Sequence, residues 1–358
     1  MVGVLMKFFM AKYNIAILWY GLPYYAANAI RCAKMEFPEH RFFIVSSKVG
    51  VPYTGIEETI GGEVHWVDEK KPVSWSVLGC AVPDLCVLTS WNHPAYMALA
   101  REAKASGNCT LVSMVDNYFH GSLKQWVGAL YFRLRLRSFF DFMWVPGARS
   151  RRFMRFLGMP DNCIAECLYT ADPVIFFPPL DLAKRRMVIF VGQFIRRKGV
   201  DNIVEALLSV RGAVYLPILR MIGHGPLAED LRAAGMPVEA FMQAGELAEA
   251  YRQSSALLLP STMDHWGVVA HEAALCGCFI LATKQCGCVD DLVEHGVNGY
   301  IMEKSSADEI IKALNWHGSL SQDQVARGRE ISLTKASRFS PDRWAKTLAS
   351  FQLISHSE

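Results

Sequence analysis

The chain has 358 residues, a formal net charge of +3 and 52% hydrophobic residues. That length suits about two domains, and the apolar content suits parallel sheets buried on both faces. So slight a charge argues against a nucleic-acid partner, which calls for a concentrated basic face with stacking aromatics.

Lys7 and Lys12 interrupt the first twenty residues, no apolar run reaches membrane-spanning length, and no small-residue cleavage site follows Ile15 to Leu22. The expected location is cytoplasmic, free or held peripherally at the inner face of a membrane. Tyr13 to Tyr20 reads as a first strand, followed by a turn at Gly21-Leu-Pro and an Ala-rich helix from Ala26 to Met35. Gly21 therefore opens a helix beyond the carboxyl end of a strand. Further strands are expected at Phe42 to Ser46, Val64 to Val67, Leu85 to Thr89 and Thr110 to Val115. Trp91-Asn-His-Pro and Asp116-Asn-Tyr-Phe-His follow the last two, and such ends line the ligand crevice of open parallel sheets. Asp116 is a candidate there, whereas His93 and His120 read as turn or surface histidines.

Residues 122–156 carry Lys124, Arg133, Arg135, Arg137, Arg149, Arg151, Arg152 and Arg155 against Asp141 alone, interleaved with Trp126, Leu130, Tyr131, Phe132, Leu134, Phe139 and Phe140. A basic aromatic stretch of this kind suits an anionic membrane surface. It also suits a domain helix with solvated arginines, because Arg133, Arg135 and Arg137 alternate at period two and do not gather on one helical face.

Three prolines between Ala171 and Leu182 mark a hinge, which places one domain at 1–175 and a second at 183–335, with a tail at 336–358. Met187 to Val191 reads as a strand, Gly192 to Gly199 as a loop and Val200 to Val210 as a helix. Arg197 and Lys198 then stand just before a helix N-terminus, where cation, dipole and free amides add for a diphosphate. Val214 to Ile222, Val238 to Phe241 and Ala256 to Leu259 are the next strands.

Pro260 and Ser261 stop the last of these, and helical spacing resumes from Gly267 to Cys276. This order aims the amides of Gly267, Val268 and Val269 at an anion beyond the strand's end. Asp264 in the loop and Glu272, about one and a half turns into the helix, would repel that anion. They are better used as acceptors for the sugar and ribose hydroxyls beside it. The implied ligand is a nucleotide sugar. Cys276 with Cys278 and Cys286 with Cys288 lack Cys-x-x-Cys spacing and abut strands, so reduced core thiols are expected and no metal site. Helices at Ala307 to Trp316, Gln322 to Leu333 and Pro341 to Ile354 complete the chain.

The run from Asp264 through Trp266-Gly267 to Glu272 resembles the paired-carboxylate signature of retaining GT-B glycosyltransferases of the family-4, or group 1, type, in which Glu is usual at the position of Asp264. Phe190-Val-Gly-Gln-Phe-Ile-Arg-Arg-Lys-Gly-Val-Asp resembles their donor-phosphate loop, with Gln193 where Arg is usual. Ile222-Gly-His-Gly-Pro, Cys286-Gly-Cys-Val-Asp-Asp-Leu-Val and Gly296-Val-Asn-Gly resemble later segments in the same order. The N-terminal half matches more loosely, with Pro23 and Tyr24 in place of a usual Gly-Gly pair.

The resemblance implies an α/β protein of two Rossmann-like domains facing each other across a cleft, acceptor on the first and donor on the second, with the terminal helix returning to the first. It implies retaining transfer from a nucleotide-sugar donor to a saccharide or lipid-linked saccharide, with no metal or other cofactor. Gly21, Gly192, Arg197, Lys198, Gly267, Val268 and Val269 would serve the donor, Asp264 its sugar, Glu272 its ribose and Asp116 the reacting face. Two other readings share the architecture: a nucleotide-sugar epimerase, and a non-catalytic sugar-nucleotide-binding partner.

Overall fold

A computed structural model describes residues 12–48, 54–68, 70–89, 91–179, 187–209 and 218–355. They fall into two units, one within residues 1–170 and 339–358, the other within 171–338.

The first unit is built on a seven-stranded parallel sheet in the order β3-β2-β1-β4-β5-β6-β7. Its strands are β1 (Asn14–Tyr20), β2 (Arg41–Ser47), β3 (Val64–Trp66), β4 (Leu85–Thr89), β5 (Thr110–Met114), β6 (Phe142–Trp144) and β7 (Ile164–Ala165). The near-continuous apolar run of β1 follows from burial on both faces. Ile15, Ile17 and Trp19 pack with Ala26 and Ile30 of the helix Tyr24–Glu36. Ala16 and Leu18 pack on the other side with Tyr96 and Leu99 of the helix Pro94–Ala105. The last helix, Pro341–Ser355, belongs to this unit. Its Trp344 ring lies 4.6 Å from that of Trp144, and the indole nitrogen donates to the Leu168 carbonyl at 3.1 Å.

The second unit carries a six-stranded parallel sheet in the order β10-β9-β8-β11-β12-β13. These strands are β8 (Met187–Gln193), β9 (Leu219–His224), β10 (Val238–Glu239), β11 (Ser254–Leu259), β12 (Phe279–Thr283) and β13 (Gly299–Met302). Several boundaries differ by a few residues from the sequence reading. The helix after β1 starts at Tyr24, directly behind Pro23, whose extended backbone serves as its cap. β8 runs on to Gln193 and β9 to His224, because Gly192 pairs with Gly223 and Gln193 with His224. β10 stops at Glu239. The expected start of β9 at Val214, the helical position Val210 and hinge residues 180–182 lie outside the described residues.

In both sheets the order reverses next to the first strand: between β1 and β4 in one unit, between β8 and β11 in the other. Ligand crevices open outside the carboxyl ends of strands at such switch points. All ten cysteines are free thiols. That of Cys286 donates to the Leu259 carbonyl at 3.5 Å, and burial, with Asp264 second, pushes it up to about 12. No helix among the described residues is long and apolar enough to cross a membrane.

Candidate functional site

At the switch point of the second unit, the chain leaves β8 and makes a tight turn at Arg196–Lys198, closed by Gly199 with φ of 74°. A Cβ at Gly199 would stand 2.0 Å from the Pro260 carbonyl oxygen and 2.7 Å from Ser305 Oγ. Only glycine lets this loop lie directly against the one after β11. The two loops are then laced together. The Thr262 amide donates to the Arg197 carbonyl at 2.9 Å, and Arg197 Nη1 donates to the Met263 carbonyl at 3.0 Å.

Lys198 Nζ meets Asp264 Oδ2 at 2.5 Å, with the two side chains only 16% and 10% exposed. The Asp264 backbone is fixed from the far side: its amide donates to the Gln285 carbonyl at 3.2 Å, and its carbonyl accepts from the Gly287 amide at 2.9 Å. Gly267, left-handed at φ of 83°, then turns the chain into the helix Val268–Leu275. The amides of Gly267, Val268 and Val269 have no acceptor among the described residues, and all three residues are partly exposed. An open set of amides thus borders a lysine–carboxylate pair, which suits an oxyanion on one side and a hydroxyl on the other.

Glu272 lies further along this helix and turns to the helix Ala244–Arg252, where the Tyr251 hydroxyl donates to its Oε2 at 3.3 Å. Burial pushes its carboxyl up to about 7, against a smaller lowering by that hydrogen bond. The structure therefore brings Arg197, Lys198, Asp264 and Gly267 together and ties Glu272 to a separate partner. Arg196 and Gln193 are exposed. Tyr251 and Ser305 escaped sequence reasoning, because neither stands in a motif. Among the described residues no group of three or more His, Cys, Asp or Glu could hold a metal ion.

At the other switch point, a cavity of about 500 Å³ opens within the first unit, bordered by Tyr20, Gly21, Trp91, His93, Asp116 and Tyr169 among others. Asp116 Oδ2 accepts from the Tyr169 hydroxyl at 2.9 Å, and the Asp116 carbonyl accepts from Ser150 Oγ at 3.0 Å. His93 stacks on Tyr20 with ring centroids 4.6 Å apart and lies edge-on to Tyr96, so it is more than a turn histidine. His120 is exposed, as a surface residue. Aromatic walls with one carboxylate are what a polyhydroxylated ring needs: apolar faces to lie on, and an acceptor for its hydroxyls. Tyr169 was not legible, since it lies outside the strand ends that pattern analysis points to.

Residues 174–327, which contain both laced loops, match the family model for glycosyl transferases group 1. That segment of the chain resembles the group 1 glycosyl transferases. Over 137 residues the chain is 29% identical to the sulfoquinovosyl transferase of Arabidopsis thaliana, a stretch covering 37% of this chain and 26% of that relative. The chain thus matches about a quarter of that protein's length. A solved glycosyltransferase from Rickettsia africae superposes with a TM-score of 0.74 at 12% identity, covering 97% of this chain and 100% of the other. The Anabaena protein HepE, solved with UDP-glucose, gives a TM-score of 0.72 at 18% identity, covering 94% and 98%. The fold of this chain is accordingly GT-B, an α/β architecture with two parallel sheets.

Proposed function

We propose that the protein moves a sugar from a nucleotide-sugar donor to a saccharide or lipid-linked saccharide, retaining the anomeric configuration and needing no metal. The donor belongs to the second unit and the acceptor to the first. The observation that carries this reading is the Lys198–Asp264 pair beside the open amides of Gly267, Val268 and Val269. Lys198, Arg197 and those amides stabilise the charge that grows on the leaving diphosphate. With Oδ2 on Lys198, Asp264 keeps Oδ1 for a hydroxyl of the transferred sugar. Glu272 and Tyr251 take the ribose, and Gly21 and Gly192 leave room for backbone approach.

In the step itself, the bond from the anomeric carbon to the diphosphate oxygen breaks. The acceptor oxygen bonds to the same face of that carbon, and its proton passes to the departing phosphate oxygen. Asp116, held by Tyr169, orients the acceptor. HepE, a structural neighbour solved with UDP-glucose, lends support to a nucleotide-sugar ligand.

The test is a thermal-shift panel of nucleotide sugars, in which a ligand at 100 times its dissociation constant stabilises by about 2.7 kcal/mol. Donors that stabilise are then incubated with and without saccharide acceptors, and the anomeric configuration of the product is read by NMR. Absence of any stabilisation would overturn the reading, and conversion of the donor alone to an isomer would replace it with epimerisation.

A further inference from the structure

The helix Leu123–Tyr131 in the first unit continues into a widened turn, Phe132–Leu136, closed by a hydrogen bond from the Arg137 amide to the Phe132 carbonyl at 2.9 Å. Its inward face is ordinary: Ala129, Phe132 and Leu136 are buried in the core. The opposite face is not. Leu123, Trp126, Val127, Leu130, Tyr131 and Leu134 are all between 53% and 79% exposed. Their spacing places them in one stripe, so six large apolar side chains line up facing solvent. Contiguous exposure of this kind marks an interaction surface.

Charge decides the partner. From residue 117 to 140 there is no Asp or Glu. Lys124 and Arg135, about three turns apart and hence on the same flank of the stripe, make no ion pair among the described residues. Arg133 and Arg137 donate to the carbonyls of Phe156 and Gly158, neutral acceptors that fix the guanidinium groups and leave their charge uncompensated. Asp141, the nearest carboxylate along the chain, is already bound by Lys104 at 2.9 Å. The helix is also held in place: Ser122 caps its N-terminus, and Trp126 packs edge-on against Phe119 and Phe156.

We propose that this face docks the protein on a bilayer surface containing anionic lipid, with the apolar stripe sunk among the acyl chains and the cations at the headgroups. An apolar stripe with Trp and Tyr, bordered by Lys and Arg alone, is the composition of an interfacial helix. The period-two arginines that argued against it in the sequence turn out to border the stripe without needing to form a face of their own. Asn117 and Asp116 line the cavity of the same unit, and the docking helix starts six residues later. Docking therefore favours a lipid-linked acceptor. That last step rests on the transfer reading; the docking itself does not.

The experiment is co-sedimentation of the full chain with phosphatidylcholine vesicles, and with vesicles containing about one third phosphatidylglycerol, at low and high salt. Wild type is compared with the doubly substituted Leu130→Asp/Leu134→Asp and Lys124→Glu/Arg135→Glu proteins. Wild type should bind the anionic vesicles, more weakly at high salt, and each variant should bind about tenfold or more weakly. Because these side chains are exposed, the variants should unfold thermally as wild type does and keep any stabilisation by nucleotide sugars. No binding to anionic vesicles at low salt, or variants that bind like wild type, would overturn the proposal. So would a wild-type dimer in sedimentation velocity that Leu130→Asp/Leu134→Asp dissolves while vesicle binding stays absent. Failure of the transfer reading would look different, with no nucleotide sugar stabilising any of the proteins and vesicle binding intact.

Discussion

Lys198 and Asp264, 66 residues apart in the chain, share a hydrogen-bonded ion pair of 2.5 Å where the loops after β8 and β11 run side by side. Each holds the other ready for a different part of one ligand. Lys198→Ala should weaken binding of a nucleoside diphosphate roughly 10- to 100-fold by calorimetry, as expected for a charge-assisted contact. Asp264→Ala should leave that affinity nearly unchanged, since Lys198 loses a competitor, while turnover falls about 100-fold or more. Parallel loss of nucleoside diphosphate affinity in both variants would refute the division of roles.

A second expectation concerns Gly199. Alanine there meets the Pro260 carbonyl and must also adopt φ of 74°. Gly199→Ala should destabilise the chain by about 1–3 kcal/mol in urea titration and weaken donor binding by prising the two loops apart. Gly296→Ala, also left-handed but with open space around its Cβ position, should cost stability alone.

What the sequence made legible here divides along physical lines. Strand–loop–helix order, the glycines and the cations of the second unit follow from local chemistry, which is why Arg197, Lys198, Asp264 and Gly267 could be named before they were seen together. Their pairing was hidden, because it depends on β8 and β11 being neighbours in a sheet while β9 and β10 separate them in sequence. Tyr169 and Tyr251 were hidden for the same reason. Each reaches a carboxylate on a distant element, and a tyrosine in isolation reads as core. The exposed stripe was obscured by its own composition, since leucines at helical spacing normally point inward.

The pH dependence of stability should show two opposing slopes. His271 accepts from the Ala171 amide at Nδ1, and its Nε2 lies 2.9 Å from the Ala336 carbonyl; burial depresses its pKa to about 4. The unfolded chain binds that proton first, so stability present above about pH 6.5 is lost as pH falls toward 4. Glu272 acts in reverse. Its carboxyl is raised from 4.5 to about 7, so the fold is favoured below 4.5 and loses that advantage as pH rises through 7. Glu272→Gln removes the second slope, and its melting temperature should climb more steeply than that of wild type between pH 4.5 and 7. Parallel curves would show that Glu272 does not titrate in this window.

Tyr169→Phe removes the hydroxyl that holds Asp116. The proposed acceptor role predicts a rise in acceptor KM of about tenfold, consistent with one lost hydrogen bond to a charged group, with donor affinity unmoved. Kinetics at saturating donor and varied acceptor distinguish this from a structural effect, which would depress expression or melting temperature as well.

The first unit is closed by a helix that the chain reaches only after building the whole second unit: Trp344 packs on Trp144 and bonds to Leu168, 176 positions earlier. On a ribosome, residues 171–338 can therefore fold as soon as they emerge, while the seven-stranded sheet must wait with the part of one apolar face around Phe142 and Trp144 uncovered. The half of the molecule made first is the half finished last. Its Phe142 and Trp144 surface would be the stretch for which a chaperone has longest to compete.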